Sequence, residues 1–209
     1  MRFLGAIFFV ISTYTTTQAA ETADKFRLDG ATLYYDSINL PDGESSEIAD
    51  EDKDFLLKVL RENNGITTLH LNSDGGAVWA GEEMARIVID FELDTVVEGE
   101  CSSSCVSVFL AGQQRILGRG GKIGFHGRNW SSSSVERYYE GNKDRKGWSD
   151  PFDFGSWIYR DTQDEVFDEL TYMVGRGVDP AFAIETIRIR NSMWYPSRQD
   201  LQKANVLRD

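Results

Sequence analysis

The chain is 209 residues long, enough for one well-buried domain and too short for two sizeable ones. Its 22 Lys+Arg against 34 Asp+Glu leave a formal net charge of -12, which argues against a phosphate backbone or an anionic lipid surface as partner. The hydrophobic share of 41% is sufficient for an ordinary globular core.

Met1-Arg2 supplies a positive start, residues 3–11 are apolar or small, and residues 13–20 turn small and polar. With Thr17-Gln18-Ala19 as a small-x-small motif, this is the layout of a secretory signal peptide. It predicts cleavage after residue 19 and a periplasmic or secreted mature chain. The apolar run is well short of the ~20 residues of a membrane-spanning helix. No cysteine lies beside the cleavage point, so no stable membrane anchor is expected once the leader is removed.

Residues 20–209 read as a single domain. Residues 31–39 are rich in β-formers and predict a strand, followed by a turn at Pro41-Asp42-Gly43. Residues 50–63 predict a helix with Phe55, Leu56, Val59 and Leu60 on one face and Gly65 as its stop. A strand over 66–71 runs into Asn72-Ser73-Asp74-Gly75-Gly76. A helix over 77–90 follows, with Gly81, Met84, Ala85 and Val88 at helical spacing. The pattern then predicts a strand at 93–97, a buried helix at 103–111, and short strands near 115–117 and 122–125. This alternation implies right-handed crossovers and a largely parallel sheet, an α/β fold. Residues 127–157 break the rhythm as a long insertion, of the kind that forms lids or simply moves. Helices are expected at 161–174, 180–190 and 198–204.

Three segments could carry chemistry. Gly75-Gly76, between a strand and a helix, lets the backbone approach a ligand and exposes N–H groups that suit an oxyanion; a plain βα turn looks the same. Ser102-Ser103-Ser104 also sits at a strand-to-helix junction, where a helix dipole favours a developing negative charge and where serine is a common cap. The chain has 2 histidines. His70 lies inside a strand, as structural histidines do, whereas His126 lies at a strand end beside glycine and suits general-base work. Lys122 would share the face of His126 by strand alternation, although a solvated lysine fits that position as well. Cys101 and Cys105 flank the serines, either as a disulfide that fixes the turn or as two buried thiols. No metal-ligand spacing is present, and no cofactor is expected.

Ser73-Asp74-Gly75-Gly76, Gly99-Glu100-Cys101-Ser102-Ser103, Ala111-Gly112 with Arg115, and Gly124-Phe125-His126 resemble, in order, the pattern of the Clp protease proteolytic subunit. The likeness is to exported members whose serine stands between two cysteines. It runs from about Ile66 to His126. It implies a ClpP/crotonase-like spiral of ββα units with a C-terminal helical region, and peptide-bond hydrolysis through an acyl-enzyme. It assigns Ser103 as nucleophile, His126 as general base, and the Gly76 and Ser104 N–H groups, with Gly75 in the turn, as oxyanion hole. The sequence departs where the family has its acidic triad member. That place falls on Asn191 or Ser192, and Asn191 is taken as the orienting residue.

Three functions compete on these residues. One is a serine peptidase of exported polypeptides that works without an ATP-driven partner. The others are an inactive scaffold that binds a protein partner and crotonase-type thioester chemistry. The resemblance also implies a homo-oligomer, and nothing points to nucleic acid.

Overall fold

The computed structural model describes residues 24–208; the expected leader lies outside the described residues. β1 (Phe26–Asp29) and β2 (Thr32–Asp36) form an antiparallel hairpin. α1 (Asp50–Glu62), β3 (Thr68–Ser73), α2 (Val78–Asp90), β4 (Asp94–Ser102), α3 (Ser104–Leu110), β5 (Arg115–Leu117) and β6 (Lys122–Gly124) follow. The chain then continues as α4 (Ser132–Lys146), α5 (Pro151–Gly175), α6 (Pro180–Thr186) and α7 (Arg198–Lys203). The sheet order is β1-β2-β3-β4-β5, parallel from β2 onward, with β6 also paired to β4. This is the α/β architecture expected.

β4 organises the site. Its first half, Thr95 to Val97, pairs with β5, and its second half, Glu100 to Ser102, pairs with β6. A turn at Gly118 and Gly121 separates the two partners. Two short strands therefore lie end to end along one long one, and the second delivers His126 opposite the end of β4. Alternation buries Leu33 and Tyr35 on β2 and Leu69 and Leu71 on β3, against Leu56 and Leu60 of α1 and Met84 and Val88 of α2. Burying each such aliphatic side chain is worth roughly 1.5–3 kcal/mol.

Five elements depart most from expectation, one of them α6, which stops at Thr186 rather than at 190. β1 is an exposed edge strand, half-buried only at Phe26, so no apolar alternation announced it. β4 runs on to Ser102 because β6 pairs with a segment whose Glu98-Gly99-Glu100 reads as loop. The segment 127–157, expected as an insertion, holds a full helix, α4, with no buried residue and hence no apolar stripe in the sequence. α5 begins at Pro151 rather than at 161. Asp150 caps it, accepting the Phe152 and Asp153 N–H groups, with Pro151 in the first turn.

α3, the helix next to Ser103, is fixed at both ends. At its start, Gly81 of α2 leaves no room: a Cβ there would lie 2.8 Å from the Ser104 carbonyl oxygen. At its end, Arg176 donates to the carbonyls of Leu110, Ala111 and Gly112 at 2.9, 2.8 and 3.0 Å, where orphan carbonyls and the dipole favour a cation. The fully buried Arg115 donates to the carbonyls of Arg176 and Asn205 at 3.1 and 2.7 Å. Burial first, then the Arg208 and Arg176 cations, draw Arg115 down to about 10, so it stays charged at neutral pH.

Arg115→Met would strand these carbonyls, and urea denaturation is expected to show a loss of roughly 2–4 kcal/mol. Gly81→Ala would press α2 off α3 and is expected to cost roughly 1–3 kcal/mol in the same measurement.

Candidate active site

Ser103 joins β4 to α3 with φ 56° and ψ -129°, a left-handed conformation that a side chain rarely adopts. Its N–H donates to the Gly124 carbonyl at 3.0 Å, and its carbonyl accepts from Val106 N–H at 2.9 Å. Cys101 and Cys105, both fully buried, are joined as a disulfide that closes a loop around Ser103. Of the two readings left open by the sequence, the structure has the disulfide.

Gly75-Gly76 faces this elbow. Gly75 has φ +105°, and a Cβ on it would meet the Ser103 Cβ at 2.7 Å; one on Gly76, at φ +152°, would meet Ile48 N at 2.2 Å. Both positions therefore need glycine, for conformation and for space. The pair is bonded to Ile48, whose N–H donates to the Gly75 carbonyl and whose carbonyl accepts from Ala77, each at 2.8 Å. The segment carrying Ile48 is itself pinned by a buried ion pair. Lys25 contacts Asp52 at 3.0 Å and donates to the Glu47 carbonyl at 2.8 Å, while Asp52 accepts the Ala49 N–H at 2.9 Å. Among the described residues, no acceptor engages the N–H of Gly76 or of Ser104.

His126 is exposed on the far side of Ser103. Its Nε2 lies 2.8 Å from Ser103 Oγ and its Nδ1 lies 3.1 Å from the Gly127 carbonyl oxygen. A carbonyl can only accept, so Nδ1 carries the proton and Nε2 presents its lone pair to the serine hydroxyl. Phe125 holds the base in place by exchanging two backbone hydrogen bonds with Trp194, at 2.9 and 2.8 Å. Asn191 does not take the orienting role expected of it. It is exposed and has no hydrogen bond among the described residues, and Nδ1 is already engaged by Gly127. Lys122 pairs with Glu100 at 2.7 Å. His70 stacks on Tyr34 at 4.8 Å and lies 3.4 Å from Glu98, outside the site.

A cleft of about 660 Å³ opens beside the pair, between α2, α3 and α5. Arg128 lies in its wall and joins Glu169 at 3.0 Å to Glu82 and Glu165 at 3.4 Å each. Burial by itself would lower the Arg128 guanidinium, but the three carboxylates overcome it and hold the group above its ordinary value. No local pattern marks this node, because its members come from three separate segments.

No protein-family model matches the sequence, and no curated protein matches it. Among solved structures, the chain is similar to ClpP1 from Listeria monocytogenes, with 16% sequence identity and a TM-score of 0.54 over 77% of this chain and 84% of that one. A single-substitution mutant of that protein gives the same figures. At this identity the likeness is one of fold: the chain has a ClpP-like fold.

Proposed function

We propose that the chain is an exported serine hydrolase that cleaves peptide bonds through an acyl-enzyme on Ser103. The observation that carries this reading is the 2.8 Å contact between Ser103 Oγ and Nε2 of His126. In the proposed reaction, Oγ attacks the scissile carbonyl carbon as its proton passes to Nε2. The tetrahedral oxygen is received by the Gly76 and Ser104 N–H groups, with the turn at Gly75 setting their direction. Nε2 then protonates the departing amine. Water, activated by the same nitrogen, hydrolyses the ester and frees Ser103.

The orienting group in this scheme is the Gly127 carbonyl. It selects the correct tautomer, as an acceptor-only oxygen must, but it stabilises an imidazolium less than a carboxylate does. Turnover slower than that of a full triad follows. The leader at residues 1–19 supports a periplasmic or secreted location, where no ATP-driven unfoldase is expected, so the substrates are accessible or unfolded polypeptides. The resemblance to ring-forming Clp subunits, together with the exposed Phe152, Tyr159 and Phe167 on α5, supports a homo-oligomer.

A second reading, an inactive scaffold that binds a protein partner, is favoured by the neutral group on Nδ1. Labelling separates the two. The chain from Ala20 is expected to gain one fluorophosphonate adduct by intact mass. Ser103→Ala should gain none, and His126→Ala should label roughly 10²–10⁴-fold more slowly. A folded wild-type protein that takes up no adduct would establish the scaffold instead. Gly75→Ala, which drives a methyl into Ser103, is expected to slow labelling by roughly tenfold or more while the protein stays folded.

A further inference from the structure

We infer that Glu100 is a positioning residue: its carboxylate staples together the three segments that carry the nucleophile, the base and the support of the base. The inference rests on the hydrolase reading of the Ser103–His126 pair and names what keeps that pair in register.

Glu100 lies on β4, with its side chain 18% exposed. Oε1 accepts the Ser102 hydroxyl at 2.7 Å and the Tyr195 hydroxyl at 2.5 Å, and Oε2 receives the Lys122 ammonium at 2.7 Å. Each partner stands next to a part of the site. Ser102 is fully buried and precedes Ser103. Lys122 opens β6, whose Gly124 carbonyl accepts the Ser103 N–H and whose chain continues to His126. Tyr195 follows Trp194, which is bonded through its backbone to Phe125, the residue before His126.

The pieces are also packed tightly around β6. A Cβ on Gly124 would lie 2.2 Å from Ser102 Oγ and 2.7 Å from the Tyr195 ring. The Lys122 ammonium rests 4.5 Å from the centre of that ring. Glu100 is held in turn from β3, since its N–H donates to Asn72 Oδ1 at 3.0 Å and Asn72 donates to Asp36 at 3.0 Å. All three side-chain partners are donors, so only an acceptor-only group can satisfy them together, and a carboxylate does so with charge-assisted bonds. Without it, the buried Ser102 hydroxyl and the Lys122 cation lose their acceptor next to a residue held at positive φ. Relaxation there moves Oγ away from Nε2, and a shift of ~1 Å at a reacting atom can cost ~10²-fold.

The test compares fluorophosphonate labelling rates of wild type, Glu100→Ala, Glu100→Gln, and Glu100→Gln combined with Lys122→Met. Amide hydrogen exchange at Ser103 is measured on each. Glu100→Ala is expected to label roughly 10²-fold more slowly and Glu100→Gln roughly tenfold. The double variant should recover to within roughly threefold of wild type, because an amide oxygen still accepts from Ser102 and Tyr195 and no cation is left unpaired. Ser103 N–H exchange should accelerate roughly tenfold or more in Glu100→Ala. Wild-type labelling in Glu100→Ala, or a double variant as slow as Glu100→Ala, overturns the inference. If the wild type itself takes up no label, the hydrolase reading fails separately. Unchanged Ser103 exchange in Glu100→Ala then overturns the staple, and faster exchange upholds it.

Discussion

The hydrogen bond from Ser103 N–H to the Gly124 carbonyl ties the end of one strand to the end of another, and the site depends on it. It fixes the backbone that carries the serine against the backbone that carries the histidine. Ser103 sits at φ 56°, a conformation costing of order 1–3 kcal/mol that persists only when its surroundings over-determine it. They do so from every side. The disulfide closes the loop around it, Gly75 lies against its Cβ, Val106 binds its carbonyl, and α3 is wedged between Gly81 and Arg176.

The same logic extends outward by one layer. Gly76 is placed by Ile48, and the segment of Ile48 is placed by the buried Lys25–Asp52 pair with the Glu47 carbonyl and Ala49 N–H. Breaking a buried pair by removing one partner leaves an uncompensated charge, so such a pair fixes geometry more than it adds net stability. On the other flank, the aromatic group of Phe125, Phe182 and Trp194 backs the base, with ring centroids 5.4 to 5.9 Å apart. Packed neighbours on both sides leave Ser103 Oγ and His126 Nε2 at hydrogen-bond distance, with no carboxylate among the described residues bonded to the imidazole.

The cleft wall has a different character. Arg128 spreads one positive charge over Glu82, Glu165 and Glu169, which come from α2 and α5. These contacts span half-buried side chains and tie the long helix α5 to the rim of the site, next to the end of β6. The local balance remains negative, in keeping with the formal net charge of -12 for the whole chain.

What the sequence by itself determined is local. Apolar periodicity marks α1 and α2, each of which buries one face, and alternation marks β3. α3 is marked instead by a short apolar run that is buried nearly all round. Paired glycines marked the Gly75-Gly76 turn, where no side chain fits, and strand-end placement separated His126 from His70. Elements without a buried stripe, β1 and α4, leave no such trace, and the second half of β4 leaves none because it is a strand only through its pairing with β6 and the end of β3. Spacing could not decide between disulfide and thiols, since only the fold sets the reach between Cys101 and Cys105. Nor could it say what meets His126 Nδ1: a side chain was expected, and the fold supplies a backbone carbonyl, a group every residue carries and no sequence pattern distinguishes. The Glu100 contacts to Lys122 and Tyr195 and the Arg128 node were decided by tertiary structure for the same reason, because only the packing of separate segments brings these residues within hydrogen-bond or ion-pair distance.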